Sequence, residues 1–553
     1  MAKPKISWDR SMFARASRLL APTLALLILF SASDVSAQFE GRTYAITDAR
    51  LVTLNGPIIE TGTIVLRGGL IEALGADVDA PADAVLIDGT GLTVYPGFID
   101  AFSQTGLALP DRDEREHAGN IADQLATEYF DPATDDLAEL RKQGLTSALI
   151  ARSDGVFGGK AVLVNLMGND VPSMTVKAPV VQVMGYQGQN DYPGTLMAVV
   201  AYQRQTLIDA SYHDLLQNRY GEAPRSMVRP PADPNLEALV PVAKGEAPVM
   251  GIVQIENDFK RLRSLAGEYN LNYWIAGAIE AYRVPNLIQE AGVPVLVSLD
   301  FPSTNEVTGY QFDRAFKNLT KEEKEELDAR DKAAIQSNPA SVYQAGVPFA
   351  LGTGGMSNMS DFLKNLRLAV EAGLPADEAL NALTINPATI FGVDAVLGTL
   401  EPGKIANLTV ASGDVFTDGE AWIAHVFVDG MKDTFEKPKP PSTGGGGVVG
   451  GVWDVTLSIM GESAEGTLTL TQEGETVTGE LSADGNSIEF EGTYTEGTLE
   501  MTGSIPEMGG VTLTATIEGD DMTGSLSLGP IGTADFTGKR KPGDERDERG
   551  AGK

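Results

Sequence analysis

Between residues 98 and 395, short apolar runs such as "TSALIARS", "VPVLVSLDF" and "VPFALGTGG" alternate with helical stretches such as "NDFKRLRSLAGEYN" and "SDFLKNLRLAVEAG". No other feature limits the fold as strongly. A strand that is apolar throughout is buried on both faces, and the intervening helices supply the cover, as in a parallel sheet of βα repeats. The length suits closure into a (β/α)8 TIM-type barrel, so the chain is predicted to be of the α/β class.

The segments on either side of that region read differently. "YAITDARLVTLNG", "GTIVLRGGLIEALG" and "AVLIDGTGLTVYPG" are short alternating strands between Gly-rich turns, and β character returns in "LGTLEPGKIANLTVASGDVF" and "AWIAHVFVDGMK". These flanks, 40–97 and 396–435, are expected to form a composite β-sandwich. Residues 436–451, "EKPKPPSTGGGGVVGG", turn from Pro-rich to Gly-rich and read as a linker. Beyond it, 452–540 hold about eight strand-like segments with Gly turns, predicting an all-β barrel or sandwich. "TGEL", "TGSI", "TGSL" and "TGKR" recur within it, and 541–553 form a polar tail expected to be disordered.

Composition removes several function classes. With 42 Lys+Arg against 76 Asp+Glu the net charge is −34, which repels nucleic acid and anionic lipid. The absence of cysteine excludes disulfides, thiolate metal sites, Cys nucleophiles and a lipoprotein anchor. At the start, basic residues, then "LLAPTLALLILF", then "VSA" match a signal peptide over residues 1–37. The apolar run is shorter than the ~20 residues of a membrane span, so no span is expected after cleavage and the expected destination is the bacterial periplasm.

The stretch "VYPGFID", the βα middle and "ALNALTINPATIFGVDAVLGTLEPGKIANLTVASGDVF" together resemble the amidohydrolase superfamily, nearest to its imidazolonepropionase-like and dihydroorotase-like branches. The resemblance covers roughly Tyr44 to Lys432 and does not extend to the C-terminal β domain. It implies hydrolysis of non-peptide C–N bonds by a metal-activated water. The implied ligands are His-x-His on barrel strand 1, often Lys or Glu on strand 4, His on strands 5 and 6, and Asp on strand 8.

Those positions hold other residues. Strand 1 carries Phe102 and Gln104, strand 5 Ile252, strand 6 Ala278 or Ile279, and strand 8 Gly354 where Asp would follow the Thr. Lys160, in "GVFGGKAVLV", could stand for a strand-4 lysine but reads first as a surface residue. The three histidines, His117 in a charged loop, His213 in a helix and His425 in a flank strand, form no metal-binding spacing. Asp100, Glu256 and Glu280 are the acidic residues nearest the expected barrel mouth, and each reads as a hydrogen-bonded scaffold residue. An oxygen-only set would suit Mg or Ca better than Zn.

The sequence therefore favours a degenerate, metal-free member whose barrel persists as a binding or assembly scaffold, with no cofactor. Two rivals stay open. One is an active hydrolase of amides, lactams or cyclic imides using zinc or another divalent metal. The other is a ligand- or surface-binding protein acting through the C-terminal β domain. Expected partners are a second copy of the chain or a metal-competent amidohydrolase relative.

Overall fold

The computed structural model describes residues 42–109, 119–188, 192–301, 319–356, 358–437 and 449–541, the last with short breaks at 460–461, 474–475, 484–485, 496, 506–508 and 528–532. The expected signal peptide, His117 and most of the linker and tail lie outside the described residues. The chain divides into two compact units, Met1–Lys437 and Pro438–Lys553.

In the first unit, both flanks join in one eight-stranded sheet. The N-terminal flank contributes β1 (Tyr44–Leu51), β2 (Ile59–Arg67), β3 (Leu70–Gly75), β4 (Val85–Asp88) and β5 (Leu92–Pro96). The barrel strands follow as β6 to β13, and the second flank adds β14 (Leu408–Ser412), β15 (Trp422–Val428) and β16 (Met431–Thr434). The order is β16-β15-β14-β5-β1-β2-β3, with β4 beside β1. The flanks meet where β14 pairs antiparallel with β5, Val410 opposite Val94. Ile46, Leu51, Ile64, Leu408 and Phe427 bury the face of this sheet.

The sheet is tied to the barrel by two residues of the motifs quoted above. Gly97 donates its N–H to the Asn407 carbonyl (2.8 Å), and a Cβ there would stand 2.3 Å from Thr146 Oγ1. Asn407 in turn donates its side-chain amide to Ser147 Oγ (2.9 Å) and Asn165 Oδ1 (2.8 Å). Only glycine allows so close a backbone approach.

The barrel runs β6 (Phe98–Ser103), β7 (Leu145–Ile150), β8 (Phe157–Asn165), β9 (Thr175–Met184), β10 (Val249–Val253), β11 (Tyr273–Gly277), β12 (Val295–Ser298) and β13 (Phe349–Gly352), paired in sequence order. It departs from the expected arrangement at two places: β8 is antiparallel to both β7 and β9, and β13 meets β6 not by a strand ladder but through bonds from the residues that follow it. Only residues 151–156 separate β7 from β8, too few for the dozen or more that a parallel crossover needs. Gly155, at φ +90°, makes the turn instead.

Helices cover the outside, among them α1 (Asp136–Lys142), α2 (Leu196–Glu222), α3 (Pro234–Ala243), α4 (Glu256–Tyr269), α5 (Lys321–Gln336) and α6 (Phe362–Glu371). Inside, Ile99, Ala101, Leu149, Leu163, Val183, Met250, Trp274 and Leu296 fill the lumen. Trp274, at the start of β11, packs on Phe391 with ring centroids 6.1 Å apart and closes the bottom.

The second unit is a closed antiparallel barrel of eight strands, from β17 (Gly451–Ile459) to β24 (Thr533–Arg540), each paired with the next and the last with the first. Its interior is apolar, with Trp453, Leu468, Leu499, Leu513 and Phe536 fully buried. On the strand Gly509–Glu518, Val511, Leu513, Ala515 and Ile517 face in while Thr512, Thr514 and Thr516 face out. This is the inverse of the lipid-facing pattern of a membrane barrel. The recurring "TG" pairs place small residues beside large ones: Gly479 and Gly503 both flank Phe490, and Gly524 pairs with Phe536.

Candidate functional site

In a (β/α)8 barrel, chemistry is done at the C-terminal ends of the strands. The structure brings Phe102, Gln104, Ile252, Ile279 and Gly354 to the ends of the first, fifth, sixth and eighth strands. Phe102 is 3% exposed and belongs to the apolar cluster that fills the lumen. Ile279 is buried and Ile252 half-buried. Gln104 lies just beyond β6, where its Oε1 accepts from Ser153 Oγ at 2.7 Å.

Gly354 shows most plainly how the mouth is built. Its φ is +59°, and a Cβ on it would stand 2.1 Å from Ser298 Oγ and 2.4 Å from Ser298 Cβ. A side chain at this position has no room unless Ser298 moves. Its N–H donates to the Phe102 carbonyl (2.9 Å), joining the last strand to the first.

The same seam holds Asp100. Thr353 N–H donates to Asp100 Oδ1 (2.9 Å), Thr353 Oγ1 lies 2.8 Å from Oδ2, and Phe102 N–H donates to Oδ1 (3.1 Å). Asp100 is fully buried, and the loss of water pushes its pKa up to about 6, although these hydrogen bonds pull it down. The carboxylate is consumed in closing the barrel.

Glu280 is likewise engaged. It accepts the N–H of Glu256 (2.8 Å) at the first turn of α4 and pairs with Arg283 (3.1 Å). A carboxylate is stabilising at a helix N-terminus, so Glu280 holds α4 onto the end of the sixth strand. Glu256 itself pairs with Lys260 one helical turn on.

Lys160 does not stand on the fourth strand. It lies on β8, the third and reversed strand, opposite Gln182 of β9. Ala161, Leu163, Val181 and Val183 point into the lumen, so alternation turns Lys160 and Gln182 to the outside. His213 is buried on α2, and His425 of β15 places Nδ1 3.1 Å from Thr434 Oγ1. Burial lowers the His425 pKa, with Lys432 adding to the effect.

Sequence reasoning passed over one buried ion pair at the mouth. Arg152, after β7, bonds Asp154 through Nε (3.0 Å) and Nη2 (2.8 Å), and its guanidinium stacks 4.4 Å from the centre of the Tyr129 ring. Tyr129 hydroxyl donates to Gln124 Oε1 at 2.9 Å. Beside the ends of β12 and β13 a cavity of about 200 Å³ opens, lined in part by Asp300, Lys332, Asn358, Asp361 and Lys364.

This donor set does not fit a zinc ion. Among the described residues no group of three or more His, Cys, Asp or Glu is placed to hold a metal, whereas zinc sites draw on three or four such side chains. The neutral side chains at the strand ends are engaged within the fold: Ser103, Ser298 and Thr353 are buried, and Gln104 accepts from Ser153.

Comparison with known proteins agrees with the fold. The Amidohydrolase family matches residues 279–432. An imidazolonepropionase of Rhizorhabdus wittichii is 27% identical over 410 residues, covering 66% of this chain and 92% of that protein. An adenine deaminase 2 of Bradyrhizobium diazoefficiens is 41% identical over 68 residues, and that match spans 12% of this chain and 10% of the deaminase. An amidohydrolase structure from Thermotoga maritima superposes with a TM-score of 0.58 at 22% identity, covering 70% of this chain and 99% of that one. With the flank sheet and the barrel joined through Gly97 and Asn407, these similarities lead to one conclusion: the chain belongs to the amidohydrolase superfamily.

Proposed function

We propose that this protein is a secreted, periplasmic member of the superfamily whose barrel binds or assembles without a metal and does not hydrolyse C–N bonds. The observation that carries the reading is Phe102: a side chain 3% exposed within the lumen cluster stands at a position where the resemblance implies a metal-binding histidine. An apolar ring there fills the space that ligands and ion would otherwise share. Gly354 supports the same reading, because the implied proton-shuttling Asp would be overpacked against Ser298.

The chemical consequence is direct. Bulk water has a pKa of about 15.7, and metal coordination is what lowers it toward neutrality in such sites. The remaining hydroxyls have no imidazole beside them among the described residues, so no serine is activated in its place. The test is metal content and turnover on the mature protein purified from its own secretion route. Less than a tenth of an equivalent of transition metal, with no hydrolysis of amide, lactam or cyclic-imide substrates above background, is expected. Near-stoichiometric metal with chelator-sensitive hydrolysis would overturn the reading.

A further inference from the structure

Helix α2 buries one face against the fold and leaves an apolar stripe exposed on the other. Val199, Gln203, Thr206, Leu207, Ala210 and His213 are buried against the barrel. On the opposite face, at helical spacing, stand Met197, Ile208, Tyr212 and Leu215, of which Met197 is 84% exposed. Tyr192, just before the helix, packs edge-on to Tyr202, and Val228, six residues past the helix end, is 89% exposed.

Arg204, which interrupts the stripe, is drawn aside by its pair with Glu268 (2.8 Å). The six exposed side chains leave bare an apolar area on the order of the ~800 Å² that each side of a standard dimer interface buries. An apolar patch of several hundred Å² rimmed by polar residues is a mark of an interaction surface.

We propose that this face is a homodimer interface, in which α2 of one copy packs antiparallel on α2 of a second copy about a two-fold axis near Ile208. A two-fold interface uses the same patch on both copies, which suits a single self-complementary stripe. Antiparallel pairing opposes the helix dipoles and separates Arg219 of one copy from Arg219 of the other, whereas parallel pairing would stack them. The inference is independent of whether the barrel binds metal.

The chain has no cysteine, so an introduced one is the sole thiol. Ile208 is nearest the helix midpoint, and Ile208→Cys is expected to cross-link to itself under mild oxidation. Met197 lies about 16 Å along the helix from Ile208, so its two copies would be about 33 Å apart, and Met197→Cys is expected not to cross-link. Sedimentation of the full chain should show a dimer, and Ile208→Lys with Leu215→Lys should convert it to a monomer with an unchanged circular dichroism spectrum. A parent chain monomeric at all concentrations overturns the proposal. So does cross-linking at both positions, the signature of parallel pairing, or a dimer that survives the two lysines.

Discussion

Thr353 and Asp100, 253 residues apart in sequence, close the barrel by two hydrogen bonds, 2.9 Å from the Thr353 N–H and 2.8 Å from its hydroxyl. The carboxylate at the heart of the mouth is therefore a structural joint between the first strand and the last. Several measurable consequences depend on that joint and on the residues around it.

Asp100 should impose a pH slope on stability. Its folded pKa, about 6, exceeds the unfolded value near 3.8, so between those values the folded state holds more protons than the unfolded. Stability from this group is then lost as pH rises from about 4 to about 6. Asp100→Asn removes the titration. In urea melts across that range the variant should gain on the parent as pH rises, other groups cancelling in the difference. A parent that gains on the variant instead would show that the seam favours the ionised carboxylate.

Phe102→Ala should cost about 3–5 kcal/mol, because it deletes a buried ring and leaves a cavity in the lumen. Denaturant melts of the first unit read this directly. A loss below about 1 kcal/mol would mean that the ring is not part of the core.

Gly354→Asp, which writes the family's residue back in, should be destabilising by roughly 1–3 kcal/mol through overpacking on Ser298. Asp tolerates the left-handed backbone better than most residues, so the clash rather than the φ value is the main cost. Adding Ser298→Gly should recover part of the loss. If the pair is no better than the single variant, Ser298 is not the obstacle.

The C-terminal barrel should fold alone as a fragment of residues 449–541, with a cooperative melt and a β spectrum. Gly524→Ala should weaken it by at least about 1 kcal/mol, because the new Cβ would stand 2.0 Å from the Thr514 carbonyl oxygen. Arg540→Ala should weaken it too, since Arg540 stacks 4.3 Å from the Trp453 ring and donates to the Gly450 carbonyl at 2.6 Å.

Much of this was legible in the sequence. The alternation of apolar runs and helices pointed to the barrel, whereas the junction that Gly97 and Asn407 make with the flank sheet had no reading of its own in the sequence. The reversal of β8 was not legible, because an apolar run looks the same in either direction and only the short turn around Gly155 betrays it. Nor was the partnership of Asp100 with Thr353, since pairing across a closed barrel leaves no local pattern. The strand of Lys160 was not legible either: with β8 reversed, its place depends on a register that the sequence does not display. The apolar residues of α2 were present in the sequence, but which of them met the barrel needed coordinates.

The most direct measurement of the central claim is elemental analysis of the mature protein after dialysis, with zinc, manganese, iron and nickel counted per chain. The expected result is well under a tenth of an equivalent of each, unchanged when metal is offered during folding. About one equivalent or more, held through dialysis and released only by chelator, would contradict a metal-free barrel.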